Sequence, residues 1–409
     1  MHRERNSHMS NPTKNTSKEG IGLKIDHNVY ILGAGFSRGA GLPLITDFLV
    51  RMRDSYEWLV WHGRQREAEA VENVLKFRLE AASAAYWVNL DLENIEELFS
   101  LASATKGEMD HHIRIAIAAT IDFARQSKTH SRRPLIFQGK SALFGQAGAS
   151  IQNVKTLPPW VQFTPDVGGV TIHPYTYYVA RLLGMLRNGR PKGENTFITF
   201  NYDTVLEDAL KELGLCVTHG FASESTAGTS SEPSQARAKE IQVLKLHGSV
   251  TWARAPRRGT PRTPLVIHET YEELLAKGDE PALVPPTWKK VFGGHLEPVW
   301  EAAIERLSMA TRIVIIGFSI PPTDMHFKYL MAAGLQKNLS LRQILFVNPT
   351  SQAELEPRVR NLLRETYIDS NHIDFEVATL DGFTRASPGS QTKFYTIERP
   401  GEDTVAVTI

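Results

Sequence analysis

Val29-Tyr-Ile-Leu-Gly33-Ala-Gly35-Phe-Ser37-Arg-Gly39-Ala-Gly41-Leu-Pro43 begins with four apolar residues and breaks into a run of small ones. A short apolar run closed by glycine reads as a central strand of a parallel sheet, where both faces of the strand are covered. The glycines let the backbone come close to a ligand, and the helix start beyond them turns its amide N–H groups toward an anion. Strand, glycine turn and helix together are the elements of a nucleotide diphosphate site. Arg38 stands where the third glycine of a GxGxxG fingerprint would fall, so the ordinary dehydrogenase pattern does not fit. Alone, the turn reads equally well as a tight connection that binds nothing.

Three later segments end in the same way. Thr196-Phe-Ile-Thr199-Phe-Asn201-Tyr-Asp203 is a short apolar strand ending in polar groups before a helical stretch from Val205 to Leu213. Val243-Leu-Lys-Leu-His247-Gly248-Ser249 delivers a histidine and a glycine, and Ile313-Val-Ile-Ile-Gly317-Phe-Ser319 a glycine and a serine. Ligands of an open parallel sheet bind where the carboxyl ends of its strands meet, so four such ends point to one shared crevice. Two simpler roles stay open at this level: Asn201 and Asp203 as caps of the following helix, and His247 as a structural strand-end residue.

In sequence order these segments resemble the sirtuin family, and within it the bacterial sirtuin-like NAD hydrolases. Gly33-Ala-Gly35-Phe-Ser37 with Gly41-Leu-Pro43 resembles the family's GAGxS…GIP loop. Thr199 to Asp203 is similar to its TQNID segment, His247-Gly248 to its HG motif, and Gly317-Phe-Ser319 to its GTS loop. Asn348, in Phe346-Val-Asn348-Pro, is similar to its ribose-contacting Asn. The resemblance implies an α/β fold: a Rossmann-like parallel sheet of sirtuin type, with a large helical insertion and no zinc ribbon. The ribbon is excluded by composition, because a structural zinc takes about four N or S ligands and the chain has the single cysteine Cys216. The Asp, Phe and Arg that follow GIP in the family are out of register, since Leu-Ile-Thr follows Pro43 and Asp47-Phe48 comes later.

Roles follow from the same resemblance. Asn201 and His247 are the implied catalytic pair, with Asn201 orienting water or ribose and neutral His247 acting as base on a ribose hydroxyl. Gly33, Ala34, Gly35, Phe36 and Ser37 line the diphosphate, Asp203 grips the nicotinamide carboxamide, and Gly317, Ser319 and Asn348 hold the adenosine half. No metal is expected, and NAD is the substrate. The implied function is an NAD hydrolase that makes nicotinamide and ADP-ribose as the effector of a bacterial anti-phage system. A homo-oligomer and a separately encoded HerA-type ATPase are the implied partners. The alternatives are an NAD-dependent protein deacylase and a non-catalytic NAD or ADP-ribose sensor.

Composition narrows the class. The 409 residues are 42% apolar, enough for a sizeable core, and 46 Lys and Arg against 45 Asp and Glu give no overall field for nucleic acid or membrane. No stretch of ~18 apolar residues spans a membrane, and a cytoplasmic location is expected. The chain divides into a polar tail over 1–20, a nucleotide domain over 21–45 and 190–370, a helical insertion over 46–189, and a β extension over 371–409. Helices are expected over 46–60, with Thr46 as cap, and over 66–88, 92–105, 110–125 and 173–186. The Pro-, Gly- and Gln-rich 131–169 reads as an irregular connection, and 222–237 as a surface loop.

The remaining features read blandly. Glu93, Glu96 and Glu97 form an acidic helix start, and His111 and His112 are adjacent helical residues that do not share a face. Arg254 to Arg262 is a basic, proline-broken loop without aromatic interleaving, giving at most a weak or indirect nucleic-acid role. Trp288 and Trp300 are expected as core anchors, and 282–287 as a wall of the pocket. Segments 373–378, 393–397 and 404–409 alternate as strands of an added hairpin.

Overall fold

The computed structural model describes residues 26–105, 107–127, 135–138, 162–164, 169–186, 190–221, 240–254, 265–287, 294–320, 325–364 and 372–385. Its strands are β1 (His27–Leu32), β2 (Leu135–Gln138), β3 (Gln162–Thr164), β4 (Gly169–Ile172), β5 (Glu194–Thr199), β6 (Cys216–Thr218), β7 (Glu240–Lys245), β8 (Gly248–Arg254), β9 (Leu265–Ile267), β10 (Pro281–Leu283), β11 (Arg312–Ile316), β12 (Gln343–Asn348) and β13 (Ile373–Val377).

Seven of them form a sheet in the order β13-β12-β11-β1-β5-β7-β6, with every neighbouring pair parallel. The opening apolar run is its central strand. Alternation along β1 sends Tyr30 and Leu32 into one core and Val29 and Ile31 into the other. The first core is completed by the helices Phe48–Trp61, Gln65–Glu80, Ile95–Thr105, Met109–Ser127 and Pro174–Leu182, and the second by Glu297–Met309, Met325–Leu335 and Gln352–Leu362. Burial on both faces explains why Val29–Leu32, Ile313–Ile316 and Ile344–Val347 are continuously apolar rather than alternating. Tyr30 also donates to the carbonyl of Leu182 at 2.7 Å, which ties the central strand to the inserted helices.

On one side of β1 lie β5, β7 and β6, the chain reaching the edge strand β6 before returning to β7, and on the other side β11, β12 and β13 follow in chain order. The strand order therefore reverses at β1, and in such sheets the ligand crevice lies over the carboxyl ends at that reversal. The ends of β5 and β11 flank the glycine turn that follows β1.

Several expectations are corrected. Ile373–Val377 belongs to the main sheet rather than to a separate extension: it pairs in parallel with β12 and is, among the described residues, the edge strand, with Phe375 stacked on Phe346 at 5.5 Å. Within 131–169, β2 and β3 flank β4 in a small antiparallel sheet, so this stretch is not wholly irregular. The expected helix over 66–88 is two, Gln65–Glu80 and Ala82–Trp87. At the helix expected from Thr46, the side chain that meets a backbone amide is Asp47, which accepts from the Leu44 N–H at 2.6 Å. Segments 1–20, 222–237, 255–262, 393–397 and 404–409 and Trp288 lie outside the described residues.

Candidate active site at the carboxyl ends of the parallel strands

Two backbone turns meet first. The Gly33 N–H donates to the Ile316 carbonyl at 3.0 Å and the Gly35 N–H to the Gly317 carbonyl at 2.9 Å, which locks the turn after β1 against the turn after β11. A Cβ on Gly33 would fall 2.5 Å from the Gly317 oxygen, and Gly317 itself has φ of 62°. These glycines thus bring two backbones together. The Tyr175 hydroxyl donates to the Phe36 carbonyl at 2.7 Å and accepts from the Ala40 N–H at 3.0 Å, bracing the turn from behind. Burial pushes the Tyr175 phenol above its ordinary range, so it remains a donor.

The β5 end attaches to the same turn. Asn201 donates through Nδ2 to the Gly33 carbonyl at 2.9 Å and to Ser37 Oγ at 3.2 Å, and its own N–H donates to Thr199 Oγ1 at 3.0 Å. The Asn201 side chain keeps Oδ1 as an acceptor, the group that a water or a sugar hydroxyl needs. Asp203 is buried and accepts from the Val205 N–H at 3.0 Å, and Ser37 also bonds its carboxyl. The helix-start role considered for Asp203 is therefore present in the geometry. Burial raises its carboxyl above the usual range, partly offset by the nearby Lys245 ammonium.

His247 follows β7, the neighbour of β5, and is buried. Its ring lies edge-on to Phe200 at 5.1 Å and roughly parallel to Tyr202 at 6.1 Å. Tyr202, kept protonated by burial, donates to the Val284 carbonyl at 2.7 Å, and the Val284 N–H donates to the His247 carbonyl at 2.9 Å. Val284 thus fastens both flanks of the histidine. Gly248 has φ of 81°, and a Cβ there would stand 1.9 Å from the Ala282 oxygen, so the glycine after the histidine is dictated by β10. Trp300 donates to the Leu246 carbonyl at 3.0 Å and lies 6.5 Å from Phe200, in keeping with an anchor beside the site.

On the other side, Asn348 Nδ2 donates to the Phe318 carbonyl at 3.1 Å while its Oδ1 accepts from the Thr350 N–H at 2.9 Å. Asn348 therefore shapes the Gly317–Ser319 turn through its backbone. Ser319 is exposed, and its carbonyl accepts from Arg358 Nη1 at 2.9 Å. Phe318 stacks on Phe200 at 5.3 Å, joining this half to the His247 half through an aromatic contact. Contacts thus link the β1, β5, β7, β11 and β12 ends to one another.

Residues 195–373 match the family model described as SIR2-like domain. The match begins at β5, so the glycine turn after β1, to which the β5 and β11 ends are attached, lies outside it on the far side of the helical insertion. Similar solved structures include “Crystal structure of SIR2 in complex with the inhibitor EX-527, 2'-O-acetyl-ADP-ribose and deacetylated p53-peptide”, at 12% identity, 88% of this chain, 92% of that one and TM-score 0.33. They also include “Structural Basis for the Mechanism and Regulation of Sir2 Enzymes”, at 12%, 88%, 90% and 0.36, and “Sir2 bound to acetylated peptide”, at 12%, 88%, 92% and 0.32. Comparison with curated proteins finds no match. Among the described residues, no group of three or more His, Cys, Asp or Glu is set to hold a metal, and no helix is long and apolar enough to cross a membrane.

The sequence reading missed Lys245, Tyr175, Tyr202 and Arg358. Lys245 had a visible signal: a lone cation in the apolar strand Val243-Leu-Lys-Leu.

Proposed function

We propose that this chain is an NAD-consuming enzyme that breaks the nicotinamide–ribose bond in the crevice over β1. The observation that carries the reading is the attachment of Asn201 to Gly33 and Ser37, with His247 at the end of the adjacent strand. When the bond from the anomeric carbon to the pyridinium nitrogen breaks, both electrons go to nitrogen and neutral nicotinamide leaves. The oxocarbenium-like sugar then takes an oxygen nucleophile; where that nucleophile is water, its proton passes to His247 and on to solvent. With water the balance is NAD⁺ plus H₂O giving nicotinamide, ADP-ribose and H⁺. Asn201 Oδ1 holds the nucleophile or a ribose hydroxyl, and Asp203 receives the carboxamide.

Two acceptors are compatible with this first step. An acylated lysine makes the chain an NAD-dependent deacylase, and the SIR2-like domain and the acetylated peptide named with one similar structure are what support that reading. Water makes it a hydrolase, the reading supported by a single cysteine in place of a four-cysteine ribbon and by the resemblance to bacterial NAD hydrolases. The resemblance also supports action in the cytoplasm as an oligomeric anti-phage effector beside a HerA-type ATPase. Incubation with NAD, with and without an acetylated peptide and with and without the neighbouring gene product, separates these. ADP-ribose without peptide identifies the hydrolase, O-acetyl-ADP-ribose only with peptide identifies the deacylase, and NAD binding without nicotinamide release under all conditions overturns the enzyme reading.

A further inference from the structure

Lys245, the last residue of β7, has no solvent exposure. An unpaired buried ammonium costs several kcal/mol, roughly, so its partners define why it is there. Its Nζ donates to Glu207 Oε1 at 2.8 Å and to the main-chain carbonyl of Asp203. Glu207 lies in the helix Val205–Glu212 that starts two residues after Asp203, so one cation clamps both the turn and the helix it opens. β7 and β5 are paired at Thr199 and Lys245, which places the clamp beneath the segment carrying Asn201.

We infer that Lys245, held by Glu207, is the positioning residue of the NAD-cleaving site: its ammonium fixes the main chain of the Asn201–Asp203 turn and supplies the counter-charge to the Asp203 carboxylate. The inference rests on the function proposed above. A purely structural lysine in a β7 otherwise packed by Val243 and Leu244 is a costly choice, since well-packed apolar residues of similar volume are often as stabilising as a buried ion pair. The turn also has carboxylates in excess. Asp203 and Glu207 face one ammonium; Asp208 interacts with both carboxylates and is paired with Arg125; His219 faces Glu207 and Lys245; and Tyr175 faces Asp203. Lys245 favours the ionised form of Asp203, whereas Glu207 disfavours it.

This opposition gives a test that a merely structural role does not satisfy. Full-length Lys245→Met and Glu207→Gln are assayed for nicotinamide release across pH, with folding checked by thermal melting. Where the ionised Asp203 is required, removing the cation moves the acid limb of kcat to higher pH and removing the Glu207 charge moves it to lower pH, each by about half a unit or more. The KM for NAD changes less than kcat. Limbs that stay in place, or that move in the same direction, overturn the proposal. If Lys245→Met does not fold, Glu207→Gln decides alone: a downward shift supports the proposal and an unmoved limb overturns it. If the wild type releases no nicotinamide at all, it is the NAD-cleaving reading that has failed. The Lys245 assignment is then read without activity, from the Asp203 carboxyl ¹³C titration, assigned with Asp203→Asn. A midpoint lowered in Glu207→Gln supports the clamp, and an unchanged midpoint overturns it.

Discussion

Asn201 reaches from the end of β5 to the carbonyl of Gly33 at 2.9 Å, so the residue proposed to orient the nucleophile is also the bolt that holds the glycine turn. Its Ser37 bond, at 3.2 Å, passes the same restraint to the first helix turn. Asn201→Ala removes the free Oδ1 and both tethers, and is expected to lower kcat for nicotinamide release by about 10²-fold or more, while losing only about 1 kcal/mol of stability. His247→Ala is expected to show a comparable loss of kcat. Steady-state kinetics beside denaturant unfolding checks both, and wild-type turnover in the two variants discards the assignments.

Gly248 shows how closely the histidine's neighbour is specified. Its φ of 81° disfavours any side chain, and an added Cβ would sit 1.9 Å from the Ala282 oxygen, a backbone atom that cannot swing aside. Gly248→Ala is therefore expected to destabilise by about 3 kcal/mol or more and to separate β8 from β10. Urea unfolding measures the cost, and a midpoint equal to wild type contradicts the packing described.

Tyr175 acts at a distance from the reacting groups. Tyr175→Phe keeps the ring that lies edge-on to Phe36 at 5.5 Å but removes the hydroxyl that bridges Phe36 and Ala40. Loss of two bonds in a buried setting is expected to cost about 1–3 kcal/mol. Since the hydroxyl braces the glycine turn, KM for NAD is expected to rise several-fold while kcat stays within about 2-fold. An unchanged KM would place the turn outside the binding site.

The central strand and its three polar-ended companions were legible because a buried parallel strand has a simple signature, an apolar run closed by glycine or a polar residue. The same simplicity hid what lies behind them. Nothing local in His173-Pro-Tyr175 tells that one tyrosine hydroxyl would meet the Gly33–Ala40 turn from a distant helix, because that contact depends on how the insertion docks. Alternation over Ile373–Val377 identifies a strand but not its partner, which is β12, reached across the helix Gln352–Leu362. In sequence Gly33 and Gly35 read as space for a diphosphate, and the same absence of Cβ lets Gly317 approach. Lys245 was visible as a charge in an apolar run, yet its meaning required knowing that Glu207 folds over it.

The Asp203 carboxyl offers a prediction in which stability and the site oppose each other. Burial raises its folded-state pKa above the unfolded value, despite the opposing pull of Lys245 and the bonds from Val205 and Ser37. A carboxyl shifted upward binds its proton more tightly when folded, so its contribution to stability is fully present below the unfolded pKa and is lost as pH rises through the folded pKa. At neutral pH the folded protein carries the cost of the buried charge. Asp203→Asn keeps an oxygen to accept from the Val205 N–H and leaves Lys245 paired with Glu207, while removing the titration. The variant is therefore expected to gain stability relative to wild type as pH is raised from about 4 to about 8, even as nicotinamide release falls. Thermal melts of both proteins over that range give the difference directly, free of every other titrating group they share. A difference that is flat, or that favours wild type more strongly at high pH, would mean that Lys245 outweighs desolvation and that the carboxylate is a net stabilising anion of the turn.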